Sequence, residues 1–138
     1  MPEPAPKSLP LILARELAAN LATPMFLSDR RGMLVYWNDA AALLLGKPFA
    51  EIGEVSGDDL AAVLDMSTAD GEPLPVGDSP AGIAFFERRP SHQRLFASTY
   101  DGTRRFVEAT AYPLLGANGE MHGVINVFWE REDEGAGS

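Results

Sequence analysis

Residues 25–46, MFLSDRRGMLVYWNDAAALLLG, constrain the fold of this chain more than any other segment. Two short apolar runs, 25–27 and 33–37, flank the step Ser28-Asp29-Arg30-Arg31-Gly32. An aspartate can hydrogen-bond the backbone two residues on, and glycine can take positive φ. Residues 29–32 therefore read as a hairpin turn. Asn38 or Asp39 then caps a short helix over 40–45, which Gly46 ends.

The rest of the chain extends this pattern. Residues 9–21 predict an amphipathic helix, with Leu13, Leu17 and Leu21 on one i, i+4 stripe and Leu9 and Ile12 near its edge. Pro10 falls in its first turn, where a missing N–H costs little, and Pro24 breaks the chain before the first strand. Two short helical pieces lie between 48 and 64, divided by Gly53 and Ser56-Gly57. The second, over 58–64, has Ser56 as its cap and Leu60, Val63 and Leu64 as its apolar face. Residues 67–78 are turn-rich, and Ser79-Pro80 opens a further helix over 81–87. Three strands follow, over 95–100, 105–114 and 121–129, joined by turns at Asp101-Gly102 and Asn118-Gly119. Consecutive hairpins require antiparallel neighbours. The expected architecture is α+β: a five-stranded antiparallel sheet with helices on one face, preceded by an N-terminal amphipathic helix. The expected organisation is a disordered segment over 1–8, a cap or dimerisation helix over 9–22, a domain over 23–130, and a flexible acidic tail or linker over 131–138.

Composition removes several classes of function. At 138 residues and 46% hydrophobic, the chain suits one domain with its own core. No apolar run approaches the roughly 20 residues needed to cross a bilayer. The opening MPEPAPKSLP lacks the charged start and apolar core of a secretory signal, so a cytoplasmic location is expected, with no membrane partner. The net charge is −9, and the arginine pairs at 30–31, 88–89 and 104–105 fall at turns or element ends. Such a chain lacks the basic stripe that phosphate contacts require, and no nucleic-acid partner is expected. With no cysteine, disulfides, thiolate metal sites and cysteine-linked chromophores are excluded.

The order strand, turn from Asp29 to Gly32, strand, Asn38, Ala-rich helix and Gly46 resembles the opening of a PAS domain. Residues 71–86, GEPLPVGDSPAGIAFF, resemble the helical middle of that family, and 101–130, DGTRRFVEATAYPLLGANGEMHGVINVFWE, its last two strands. The likeness runs from about residue 21 to 130. It implies a sensory or interaction module without enzymatic activity, which passes a conformational change to an attached or separate effector. Many relatives close on an Asp-x-Thr element, where this chain has Glu130-Arg131-Glu132-Asp133.

The resemblance also frames the cofactors. Haem-binding relatives use a helical histidine, and 81–87 contains none; His92 and His122 are expected at the surface. Flavin adducts in this superfamily need a cysteine. A noncovalent flavin would stack on Trp37, a position that packs in most relatives. No covalent chromophore is expected, haem and flavin are both disfavoured, and the cofactor is left unknown. The acidic residues lie in turns or in the tail. Asp58-Asp59, the one tight pair outside the tail, sits in a first helical turn where carboxylates favour the dipole. Asp70, Glu72 and Asp78 lie among Pro73 and Pro75, without calcium-loop spacing. Neither a catalytic set nor a metal site is expected.

Small residues mark the candidate site. On the family pattern, Leu95, Ala97, Val107, Ala109, Ala111, Ile125 and Val127 face the helices. Three of these are alanines. Either the helices approach closely there, with Phe85, Phe86 and Met66 filling space, or a cavity remains. The candidate pocket for a small, mostly apolar ligand comprises Met25, Leu27, Tyr36, Leu64, Phe85, Ala97, Ala109, Ala111 and Ile125. Alternation with Ile125 and Val127 turns Asn126 outward. Phe96, Phe106, Tyr112 and Phe128 then fall on the outer face, too large an aromatic surface for a monomer to leave bare. Leu13, Leu17, Leu21, Phe106 and Phe128 form the candidate interface of a homodimer, with two-fold symmetry as the default. The alternative to a ligand sensor is a ligand-free dimerisation module.

Overall fold

Asp29 builds the hairpin turn that its chemistry suggests. Its Oδ1 accepts the backbone N–H of Arg31 at 2.8 Å and of Met33 at 3.1 Å. Gly32 donates to the Asp29 carbonyl at 3.0 Å with φ at +83°. The turn joins β1 (Met25–Asp29) to β2 (Met33–Trp37). The computed structural model describes residues 8–131, so the segments expected at 1–8 and 131–138 lie, apart from Ser8 and Arg131, outside the described residues.

Before the hairpin comes α1 (Leu9–Ala19), capped by Ser8, whose hydroxyl accepts the Leu11 N–H at 3.3 Å. After it come α2 (Asp39–Leu45), α3 (Phe49–Ile52), β3 (Val55–Ser56), α4 (Gly57–Leu64) and β4 (Ser67–Thr68). A 3₁₀ turn (Val76–Asp78) leads into α5 (Pro80–Glu87). The chain closes with β5 (Ser91–Ser98), β6 (Arg104–Leu115) and β7 (Met121–Glu130). All neighbours in the sheet are antiparallel, in the order β3-β2-β1-β7-β6-β5-β4. The five long strands are the expected ones, except that β5 starts four residues earlier than expected and ends at Ser98. The sheet has seven because the two-residue β3 and β4, at either end of α4, pair with Met33-Leu34 and Leu95-Phe96. Two residues are too few for alternation to reveal a strand. No helix among the described residues is long and apolar enough to cross a membrane.

Helices α2 to α5 cover one face of the sheet, and α1 covers part of the other. It packs through Leu11, Ala14 and Ala18 on Met25, Leu27 and Val35, with Tyr36, Ile125 and Val127 alongside. Its small residues bring it close to the strands, and the Arg15 guanidinium sits 4.8 Å from the centre of the Tyr36 ring.

This arrangement corrects the expected facing of the last strand. Ala109 pairs with Phe128 and Ala111 with Asn126, so Val124, Asn126 and Phe128 face the helices. Ile125 and Val127 face α1 instead. Because α1 and the helical layer bury β7 from both sides, both sets of residues are apolar but for Asn126, and alternation alone cannot select the face.

Asn38 ties the layers together. Its Oδ1 accepts the N–H of Ala41, capping α2 at 2.9 Å, and that of Met25 at 3.1 Å. Its Nδ2 donates to the carbonyls of Ala18 at 3.0 Å, Thr23 at 2.9 Å and Leu21 at 3.4 Å. One buried amide thus links α1, β1 and α2.

A chamber beneath the helices

The inner face of the sheet carries a chamber of about 110 Å³, lined almost wholly by apolar groups. Phe26, Leu34 and Phe128 form its wall on β1, β2 and β7, and Leu95, Ala97, Val107 and Ala109 on β5 and β6. Leu44 and Leu45 of α2, Leu60, Ala61 and Leu64 of α4, and Met66 close it from above. Val76, Ser79, Pro80 and Ala81 close its remaining side.

The alternatives posed by the alanines are both realised. At Ala97 and Ala109 the space stays open. At Ala111 it does not: Ala111 and Ala84 are fully buried, and α5 packs on the sheet there beside Val124. Leu64, Ala97 and Ala109 are the expected pocket residues that line the chamber. Phe85 faces a neighbouring hollow. Met25, Leu27, Tyr36 and Ile125 lie beneath α1 on the opposite face. They differ from expectation because β1, β2 and β7 are apolar on both faces. Trp37 packs rather than lines: it meets Phe49 with ring centres 5.2 Å apart, and its indole N–H donates to the Lys47 carbonyl at 3.0 Å.

Three wall positions escaped the pattern, namely Phe26, Phe128 and Asn126. Asn126 is 6% exposed, and its Oδ1 has no hydrogen-bond partner among the described residues. A buried amide oxygen left unpaired costs about 1–3 kcal/mol. The available signal was its being the single polar residue in the apolar run 124–128.

The far end of the chamber is polar. Arg105 reaches it with a buried Nε that makes no hydrogen bond, while its Nη1 donates to Glu130 at 3.0 Å. Asp101 adjoins this end. Its carboxylate accepts from the Thr99 hydroxyl and, at 3.0 Å, from the Thr103 N–H. The Thr99 bond foremost, with the Thr103 bonds and the Arg105 charge, lowers its pKa to about 2.

The histidines stand elsewhere. His92 lies on the outer face, with Nε2 2.6 Å from Glu108 and Nδ1 against the Thr110 hydroxyl. Burial works to raise the Glu108 pKa, but the His92 hydrogen bond and the Arg131 charge outweigh it and hold the carboxyl below its ordinary value. His122 sits 3.5 Å from Glu120.

On the outer face, Leu13 and Leu17 of α1 are more than half exposed, at 58% and 57%, and Leu21 is 39% exposed. Phe106 is half-buried there, its ring 4.7 Å from that of Phe96. Phe128, the fifth expected interface residue, belongs to the inner core with Phe26 and Trp37. The register that turns Asn126 inward turns Phe128 inward with it.

An antiparallel sheet cupped by short helices around a small interior chamber is the architecture of a PAS sensory module. A family model described as PAS fold matches residues 13–69, and the described residues through β7 have the fold of PAS domains. Among solved structures, it is similar to the PAS domain of Bordetella pertussis BvgS, with 17% identity and a TM-score of 0.60, over 91% of this chain and 90% of that one. It is similar to the PAS domain of nitrogen regulation protein NR(II) from Vibrio parahaemolyticus, with 18% identity and a TM-score of 0.61, over 90% and 99%. The light-state dimer of the fungal blue-light photoreceptor Vivid is also similar, with 15% identity and a TM-score of 0.60, over 93% and 97%. At these identities the likeness to solved structures is one of fold. No curated protein sequence matches.

Proposed function

We propose that this domain is a non-enzymatic sensor that holds a small, mostly apolar ligand in the chamber and passes its occupancy through the sheet to α1. The observation that carries the reading is Asn126, a buried acceptor without a partner at the wall of an otherwise apolar space. A ligand with one N–H or O–H would complete it. Transmission needs no long path. Phe26 faces the chamber, while its neighbours Met25 and Leu27 on the same strand pack against α1. A ligand that favours one packing of β1 over another therefore biases the seat of α1, provided its affinity differs between the two states. In this reading the domain works in the cytoplasm and addresses an effector, attached or separate.

Native mass spectrometry of the purified protein is expected to show an added small-molecule mass. Asn126→Leu should lose that mass and, freed of the unpaired oxygen, melt about 4 °C higher than the ligand-free parent. A parent with no added mass, together with a variant that melts lower, would sink the ligand reading.

The exposed leucines favour a second reading, a homodimer built on α1. Leu9, Leu13 and Leu17 repeat every four residues along the side of α1 turned away from the sheet, the first 65% exposed, and Leu21 follows two residues beyond its end. Such a stripe suits a second copy of itself. Light scattering is expected to give a dimer well above micromolar concentration, and Leu13→Glu with Leu17→Glu a monomer of unchanged melting temperature. A parent that is monomeric at those concentrations would exclude the dimer.

A further inference from the structure

Among the described residues, five side chains bring nitrogen or oxygen to the chamber wall: Ser28, Ser79, Thr99, Arg105 and Asn126. Three of them select no ligand class. The Ser79 hydroxyl is met twice, donating to Val76 at 2.6 Å and accepting the Gly82 N–H at 3.1 Å. The Thr99 hydroxyl donates to Asp101. The Ser28 hydroxyl makes no hydrogen bond among the described residues, but it can turn to serve as donor or acceptor.

Arg105 and Asn126 remain, and they stand at opposite ends. Asn126 pairs with Ala111, six residues along β6 from Arg105, which is about 20 Å of strand. One small ligand does not meet both. The Arg105 Nε lacks a partner, but its guanidinium charge is already met by Glu130 at 3.0 Å and by Asp101 at 3.7 Å. An anion seated there would face two carboxylates around one cation. Asn126 is 6% exposed, and neither its Oδ1 nor its Nδ2 has a hydrogen-bond partner among the described residues. Its neighbours across the sheet are Phe26 and Ala111, a ring and a methyl group. One acceptor and one donor thus lie side by side at the wall of an apolar space, where buried polar groups are ordinarily paired.

We infer that the ligand of the chamber is an uncharged molecule bearing a primary carboxamide or a cis-lactam, paired to the Asn126 side chain by two parallel hydrogen bonds. Such a group sets an N–H and a carbonyl along one edge. Its N–H donates to Oδ1, and its carbonyl accepts from Nδ2. An amine serves Oδ1 alone and a carboxylate Nδ2 alone. Each strands the other atom, and each carries into an apolar space a charge that finds no free counter-charge. This rests on the ligand-binding reading of the chamber and names the class of ligand. The size of the body follows from the space. A chamber of about 110 Å³ is somewhat smaller than the ~150 Å³ engineered cavity that takes benzene, so it suits a single ring or a short branched chain.

Calorimetric titration of the full chain with benzamide, benzylamine, benzoate and toluene tests this. Benzamide is expected to bind at least about tenfold more tightly than either charged probe. Asn126→Leu should weaken benzamide about tenfold and retain toluene. Binding of toluene with no preference for benzamide over the amine and the carboxylate would overturn the carboxamide assignment and leave the chamber reading standing. So would a preference for benzamide that survives in Asn126→Leu. Failure of all four probes to bind would remove both.

Discussion

Asn38→Ala is expected to destabilise the domain by about 3–5 kcal/mol, in denaturant melts of the parent and the variant. The size of the effect follows from how much one amide does. Its loss uncaps α2, by itself about 1 kcal/mol, leaves the Met25 N–H and the Thr23 carbonyl without the amide, and leaves the Ala18 carbonyl only the Leu21 N–H at 3.2 Å. At Met25 and Ala18, both buried, water cannot replace the amide, since Asn38 itself is 1% exposed. Asn38→Asp separates the two halves of the role. It keeps the acceptor for Ala41 and Met25 but sets a carboxylate against carbonyl oxygens. Hydrogen exchange should then quicken in α1 while α2 stays protected. A loss below about 1 kcal/mol in Asn38→Ala would show that Asn38 is not the tie described.

Gly82→Ala is expected to cost about 3 kcal/mol, against the general rule that alanine gains about 1 kcal/mol over glycine inside a helix. Gly82 lies in α5 where the preceding 3₁₀ turn comes closest. A Cβ would sit 1.9 Å from the Val76 carbonyl oxygen and 2.9 Å from the Gly77 Cα. Backbone atoms cannot swing aside as a side chain does. The turn is held, moreover, by Ser79, whose hydroxyl donates to Val76 at 2.6 Å and accepts the Gly82 N–H at 3.1 Å. The clash therefore pushes the turn off α5. Because Val76 belongs to the chamber wall, ligand affinity should fall together with the melting temperature. A variant as stable as the parent would mean that the turn and the helix are not locked.

Local chemistry was well marked in the sequence, and facing was not. The 29–32 turn, the Asn38 and Ser79 caps and the Gly46 stop each depend on neighbours within four residues, and each was readable. The five long strands were marked by apolar runs bounded by turn residues, and could be found. Residues 25–27, 33–37 and 124–128 were opaque in a different way. They are buried on both sides, so Phe26 and Leu27, or Phe128 and Val127, look equally suited to either face. Only the pairing of β7 with β6 decides between them, and that is a long-range fact. Asn126 and Phe128 were misplaced together for this reason, while Ala97 and Ala109, on strands with a polar face, were placed correctly. The stripe on α1 was legible as a stripe. What it hid was that Leu11, Ala14 and Ala18, a weaker apolar set, would take the sheet.

The amide of Asn38 also fixes how α1 can move. It grips the C-terminal end of that helix, at Ala18, and the two carbonyls that follow. Among the described residues the other end has no such anchor and is held by side-chain packing such as that of Leu11. A helix clamped at one end behaves as a lever with its fulcrum there. Eleven residues give an arm of about 16 Å, so a tilt of about 5° displaces Leu9 by about 1.4 Å and Ala18 scarcely at all. A change of side-chain size in the chamber, too slight to register at the fulcrum, would arrive at the Leu9 end of α1 as a shift the width of a bond.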